Sequence, residues 1–188
     1  MITALDKNTA LVLIDLQNMI VATPGVAHPV EDILENANKL IDSFRNNNLP
    51  IVFVNVNPKD AAWIKSRKDV NMPAMPTDEN LFKISDKLHK QDNDIYVTKH
   101  TWSAFFETPL HEELKKHKVT GIVLGGISTS IGVEGTGRAA SELGYNISFA
   151  LDAMTDRLME AHNNSVKNIF PRMGETGNTN DVVDALNK

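Results

Sequence analysis

Two ionisable side chains in this sequence stand where strand-like apolar runs end. Asp15 follows Ala10-Leu-Val-Leu-Ile14, and Lys99 follows Ile95-Tyr-Val97 and Thr98. A carboxylate and an ammonium meeting at the rim of a buried sheet form a partly desolvated ion pair, able to give or take a proton. Two effects oppose each other there. A lysine cation at about 4 Å is worth roughly 4 kcal/mol at an effective dielectric of 20, enough to depress an aspartate pKa by about three units. Burial raises it by a similar amount, and the residue types leave the balance open. Taken singly, each residue reads as a strand-end charge reaching solvent. Placement at the same edge of one sheet is what favours chemistry.

The third element is Gly125-Gly-Ile-Ser-Thr-Ser-Ile-Gly-Val-Glu-Gly-Thr-Gly-Arg138, where a strand gives way to a tight turn and a helix start. Backbone N–H groups at such a start are unpaired and suit an oxyanion or a substrate carboxylate. A dinucleotide cradle fits poorly: the spacing is not GxGxxG, no Walker lysine follows, and the first strand–helix turn, Asp15-Leu-Gln-Asn18, has no glycine. Gly132, Gly135 and Gly137 each cost a helix roughly 1 kcal/mol relative to alanine. Their clustering means that the backbone approaches either a ligand or a neighbouring helix closely.

Other catalytic chemistries find little support. The chain contains no cysteine, which removes thiolate catalysis, disulfides and Cys-ligated zinc. The six histidines, at 28, 89, 100, 111, 117 and 162, form no HExxH arrangement, so no protein-held metal is expected. No serine lies in GxSxG, and Ser128 and Ser130 read as turn formers.

The elements that must position these groups recur along the chain. Apolar runs of strand length fall at 10–14, 51–54, 95–97, 121–125 and 147–151, the last closing on Asp152, with a short sixth near 172–176. Val30, Ile33, Leu34, Ala37, Leu40, Ile41 and Phe44 paint one stripe of a helix between the first two runs. Further helices are expected over 108–116, 133–143, 159–170 and 181–186. Alternating strands and helices predict an α/β fold whose parallel sheet is covered on both faces, in one domain spanning residues 1–188. Ligands of such sheets bind beyond the carboxyl ends of the strands. The residues there are Asp15, Asn55 to Asn57, Lys99-His100, Gly126 to Gly132 and Asp152. The aperiodic stretch 57–79 reads as a lid, an oligomer contact or a plain surface excursion.

Composition bounds the partners. The 41% hydrophobic and 23% charged content is that of a soluble globular protein. A formal charge of −5 without a Lys/Arg block argues against nucleic acid. No apolar run nears the roughly 20 residues of a membrane helix, and the polar start lacks a signal peptide. No membrane association is expected, and the cytoplasm is the expected compartment.

At Ala10-Leu-Val-Leu-Ile-Asp-Leu-Gln-Asn18, Val97-Thr-Lys-His-Thr-Trp-Ser-Ala-Phe-Phe106 with Thr108-Pro-Leu110, and Gly125 to Tyr145 with Asp152-Ala153, the sequence resembles the isochorismatase-like hydrolases, or cysteine hydrolase superfamily. Three motifs in order carry the likeness over nearly the whole chain. The resemblance implies a three-layer α/β/α fold with a six-stranded, mostly parallel sheet. It implies that Asp15 and Lys99 take the catalytic acid/base and lysine positions. A cis peptide between Ile127 and Ser128 would aim N–H groups into the site, and Gln17, Trp102 and Phe105 would line the pocket. It also implies a homo-oligomer, dimer or tetramer. Gly132 stands where amidases of the superfamily carry their nucleophilic cysteine, closing the covalent acyl-enzyme route. Asn55-Val-Asn-Pro58 replaces the nicotinamidase metal motif. True isochorismatases share the glycine and cleave a vinyl ether with an aspartate acid and water.

The expected function is therefore a cofactor-independent hydrolase of a small, anionic metabolite, cleaving a vinyl ether, ester or amide bond with Asp15, Lys99 and water. The alternative is a catalytically silent metabolite-binding or scaffold protein on the same fold.

Overall fold

A computed structural model describes residues 2–59, 61–70 and 76–188. Its six strands are β1 (Thr9–Ile14), β2 (Ile51–Val56), β3 (Ile95–Lys99), β4 (Gly121–Ile127), β5 (Asn146–Thr155) and β6 (Glu175–Gly177). They form one sheet in the order β3-β2-β1-β4-β5-β6. All five pairings are parallel. The chain winds outward from β1 to β3, then crosses back to β4 on the other side of β1. The order thus reverses between β1 and β4, and a crevice opens beyond their carboxyl ends.

Side-chain alternation divides the interior in two. Leu11 and Leu13 of β1 face one apolar cluster with α2 (Val30–Asn46) and α6 (Thr179–Leu186). Ala10, Val12 and Ile14 face a second with α3 (Leu110–Lys116) and α4 (Glu134–Glu142). Two helical layers sandwiching the sheet give the three-layer α/β/α architecture. All seven stripe residues of α2 are buried, and each but Ala37 stabilises the fold by roughly 1.5–3 kcal/mol. Two short helices complete the set, α1 (Asn18–Val21) and α5 (Met159–Asn164).

Two elements depart from the sequence reading. Beyond Asn164 the expected single helix over 159–170 becomes a π turn at Ser165–Ile169 and a 3₁₀ turn at Phe170–Arg172. Pro171 lacks the N–H that an α-helix would use there. Strand β5 does not stop at Asp152. A register shift separates the pairs Leu124–Phe149 and Gly126–Met154, so β5 bulges and runs on to Thr155. The bulge turns the Asp152 carboxylate away from the strand ends, to accept hydrogen bonds from Thr179 N at 2.7 Å and Oγ1 at 2.8 Å. The acidic residue at the end of β5 is Asp156.

The excursion over 57–79 contains 3₁₀ turns at Ala62–Lys65 and Glu79–Phe82; its residues 60 and 71–75 lie outside the described residues. Among the described residues, no helix is long and apolar enough to cross a membrane.

Candidate active site

Strand β1 delivers Asp15 to the crevice. Its N–H donates to Val54 O at 2.8 Å, and φ of +55° turns the chain off the sheet, a conformation aspartate tolerates better than most residues. Lys99 arrives from the end of β3. Its Nζ lies 2.8 Å from Asp15 Oδ2 and donates to Thr101 O at 3.1 Å. Asp15 is 5% exposed and Lys99 2%. The other carboxylate oxygen, Oδ1, is buried without a hydrogen-bond partner among the described residues. Burial raises the Asp15 pKa, the Lys99 charge and hydrogen bond pull it down, and burial wins, leaving it at about 6.

The glycine-rich segment closes over this pair. At Gly126, φ is +125° and a Cβ would fall 2.1 Å from Ile14 O, so only glycine lets β4 lie this close to β1. The next peptide, Ile127–Ser128, is cis. A π turn over Thr129–Val133 follows, with Ser128 O accepting from Ile131 N and Val133 N, each at 3.2 Å. Two groups from the far side of β5 tie this turn down. Asp156 Oδ2 accepts from Ser130 N at 2.7 Å, and His162 Nδ1 lies 2.9 Å from Thr129 Oγ1. Gly132 ends up pressed on the ion pair. A Cβ there would stand 2.8 Å from Ile14 Cγ2, 3.0 Å from Asp15 Oδ2 and 3.5 Å from Lys99 Nζ.

Asp15, Lys99, Ile127, Ser128 and Gly132 share the wall of one cavity of about 620 Å³. Its other walls are largely apolar, from Ile20, Val56, Pro58, Trp63, Trp102 and Ile131, with Lys68, Asp69 and Arg157 also contributing. Of the expected pocket residues, Trp102 lines it and is 54% exposed. Gln17 and Phe105 do not. Gln17 is wholly buried, its Nε2 donating to Val56 O at 3.1 Å and its Oε1 accepting from Val56 N at 2.8 Å. It stitches the chain after β1 to the end of β2. Phe105 stacks on Tyr145 at 5.7 Å between centroids, under α3. Burial of aromatic surface, not solvent at the mouth, decides where that ring goes.

Sequence reasoning misses Asp156 and Arg157, because the apolar run of β5 breaks at Asp152. The signal lies in Ala153-Met154-Thr155, which resumes strand-like chemistry before Asp156. It also misses Trp63, whose Nε1 donates to His100 O at 2.6 Å and holds the excursion against the strand ends. His100 is itself occupied, its Nδ1 lying 2.6 Å from Asn57 O.

Comparison with known proteins agrees with this architecture. The Isochorismatase domain family matches residues 9–181. An uncharacterized isochorismatase family protein, YecD of Escherichia coli O157:H7, is 38% identical over 182 residues, covering 96% of this chain and 97% of its own. The isochorismatase of Bacillus subtilis (strain 168) is 29% identical over 187 residues, covering 96% of this chain and 59% of its own. The solved structure of an isochorismatase family protein from Burkholderia thailandensis superposes with a TM-score of 0.95 at 35% identity, covering 100% of both chains. A family match over most of the chain and a near-complete superposition agree with the sheet order and the sequence motifs: the chain belongs to the isochorismatase family.

Proposed function

We propose that this protein is a hydrolase for a small anionic metabolite, in which Asp15 acts as a general acid beside Lys99 and water is the nucleophile. The observation that carries the reading is the state of Asp15. A carboxyl group with a pKa of about 6, one oxygen on Lys99 and the other without a partner among the described residues, sits at the wall of an apolar cavity. At pH 7 about a tenth of such a group carries its proton, a useful reservoir for acid catalysis. That second oxygen is the natural place for the proton, since Lys99 holds the first.

A vinyl ether suits this acid best. Asp15 gives its proton to the terminal CH2 carbon, the electrons of the C=C bond form the new C–H bond, and an oxocarbenium ion results. Water adds to the cationic carbon and returns a proton to the carboxylate. The hemiketal then breaks its C–O bond, releasing an alcohol and a ketone, so the sum consumes one water. Main-chain N–H groups of Ser128 and Gly132 would face the substrate oxygen. Gly132, standing at the nucleophilic position of the superfamily's amidases, brings its backbone against the ion pair where a side chain would intrude.

The test is incubation with isochorismate, with pyruvate release followed by a coupled reductase. Turnover is expected, and Asp15→Asn should lower it by 10²–10⁴-fold. Wild-type turnover by Asp15→Asn would remove the chemistry from this site. With this reading go the cytoplasmic compartment and the homo-oligomer, neither of which enters the chemistry.

A further inference from the structure

The cavity has a second charged wall that the acid chemistry does not use. Arg157 lies just past the end of β5 and lines the same cavity as Asp15 and Lys99. Among the described residues its guanidinium is held by neutral acceptors alone: Nη1 donates to Thr23 O at 2.5 Å and Pro24 O at 2.6 Å, and Nη2 to Ile20 O at 2.6 Å. Arginine has five N–H groups, and these bonds leave at least two for a ligand. Among the described residues Arg157 forms no salt bridge, whereas Arg45, Arg138 and Lys99 each do. The neighbouring carboxylate, Asp156, is committed to main-chain N–H groups of Ser130, Arg157 and Leu158 at 2.7, 2.7 and 3.3 Å. Three carbonyls therefore fix a cation in place at a cavity wall without neutralising its charge. Burial pulls its pKa below the ordinary arginine value and the Asp156 charge offsets this only in part, so an anion arriving there compensates for lost solvation.

We infer that Arg157 is the residue that selects a carboxylate-bearing substrate, gripping the carboxylate at the wall opposite in charge to the Asp15 acid. A planar fork matches a carboxylate bidentately, and pinning by Ile20, Thr23 and Pro24 removes the entropy cost of ordering a long side chain. The apolar walls around it, Trp63 and Trp102 included, fit a compact carbon body behind that group. This rests on the function proposed above for its substrate class, but it concerns binding and not proton transfer.

Benzoate and its neutral isostere benzamide are the probes, titrated calorimetrically against the wild-type protein, Arg157→Gln and Arg157→Lys. Glutamine keeps an N–H donor for the carbonyls and loses the charge; lysine keeps the charge and loses the fork. Arg157→Gln should weaken benzoate at least tenfold and leave benzamide within threefold, while Arg157→Lys, with the charge but not the fork, should fall between Arg157→Gln and the wild type for benzoate. Equal benzoate affinity in wild type and Arg157→Gln overturns the inference, as does absence of benzoate binding to the wild type. Parallel loss of both probes overturns it too, since that assigns Arg157 only to holding the Ile20–Pro24 segment. The two readings fail separately. A protein that binds benzoate through Arg157 yet turns over no vinyl ether keeps the anion site and loses the acid.

Discussion

A Cβ built on Gly132 would lie 3.0 Å from Oδ2 of Asp15 and 2.8 Å from Cγ2 of Ile14. The carboxylate oxygen in question is the one bonded to Lys99, and Ile14 is fully buried beneath it. The turn after β4 therefore rests its backbone, not a side chain, against the ion pair. Any residue larger than glycine displaces the pair or the turn.

Gly132→Ala follows directly. Alanine is favoured over glycine in a helical turn by about 1 kcal/mol, but overpacking a rigid core costs about 1–3 kcal/mol. Ile14 is β-branched and enclosed, so it has little room to give. The variant should be less stable by about 1 kcal/mol and lose most of its turnover, measured by thermal melting beside pyruvate release. A variant that melts higher and turns over normally would show that the contact is slack.

The pH dependence has a definite sign. An acid catalyst must be protonated, so kcat should fall as pH rises through about 6, the pKa to which burial lifts Asp15. A carboxylate base would give the opposite limb, rising through the same pH, and would point to ester or amide hydrolysis instead. Stability is linked to the same proton. The folded protein holds it more tightly than the unfolded chain, where the pKa is 3.8. Asp15's contribution is therefore complete below pH 3.8 and is lost as pH rises to about 6, roughly 3 kcal/mol in all. Asp15→Asn should flatten that part of the stability profile.

Lys99→Met separates the two influences on Asp15. Removing the cation removes what lowers the carboxyl pKa and leaves the burial that raises it. The limb in kcat should move upward from about 6 by at least one pH unit. Activity at pH 8 relative to its low-pH plateau should rise even if the plateau itself drops. An unmoved limb would mean that the limb belongs to another group. Methionine fills the lysine's apolar volume, so removing the ammonium that pairs with Asp15 does not open a large cavity.

Much of this geometry is legible in the chain because it is local. Apolar runs that end on Asp15 and Lys99 put both at the same edge of a parallel sheet, and the glycines after β4 announce a close approach. What is not local is not legible. Asp152 breaks the β5 pattern, and only pairing with β4 shows that the strand bulges and continues to Thr155. Asp156 and Arg157 are hidden behind that bulge. Gln17 and Phe105 sit in motifs beside the pocket, but main-chain bonds to Val56 and stacking on Tyr145 turn them elsewhere. Those partners are 39 and 40 residues away, beyond the reach of any periodicity.

Asp156 should then be the residue on which the turn depends. Its carboxylate holds Ser130 N at 2.7 Å through Oδ2 and Arg157 N at 2.7 Å through Oδ1, and the side chain is 2% exposed. Hydrogen bonds to a charged acceptor contribute about 1.5–3 kcal/mol each. Asp156→Asn is nearly isosteric but must point an NH2 group at one of these N–H donors, which loses that bond and sets donor against donor. The expected cost is about 2–3 kcal/mol, a drop of about 5–10 °C in Tm for a chain of this size. Turnover should fall at least tenfold, because the Ser130 bond anchors the segment that carries Ser128 and Gly132 over Asp15. Raising the temperature from 10 to 30 °C should widen the gap from wild type as the turn loosens. An Asp156→Asn protein with wild-type Tm and turnover would mean that His162, through Thr129, suffices to hold the turn.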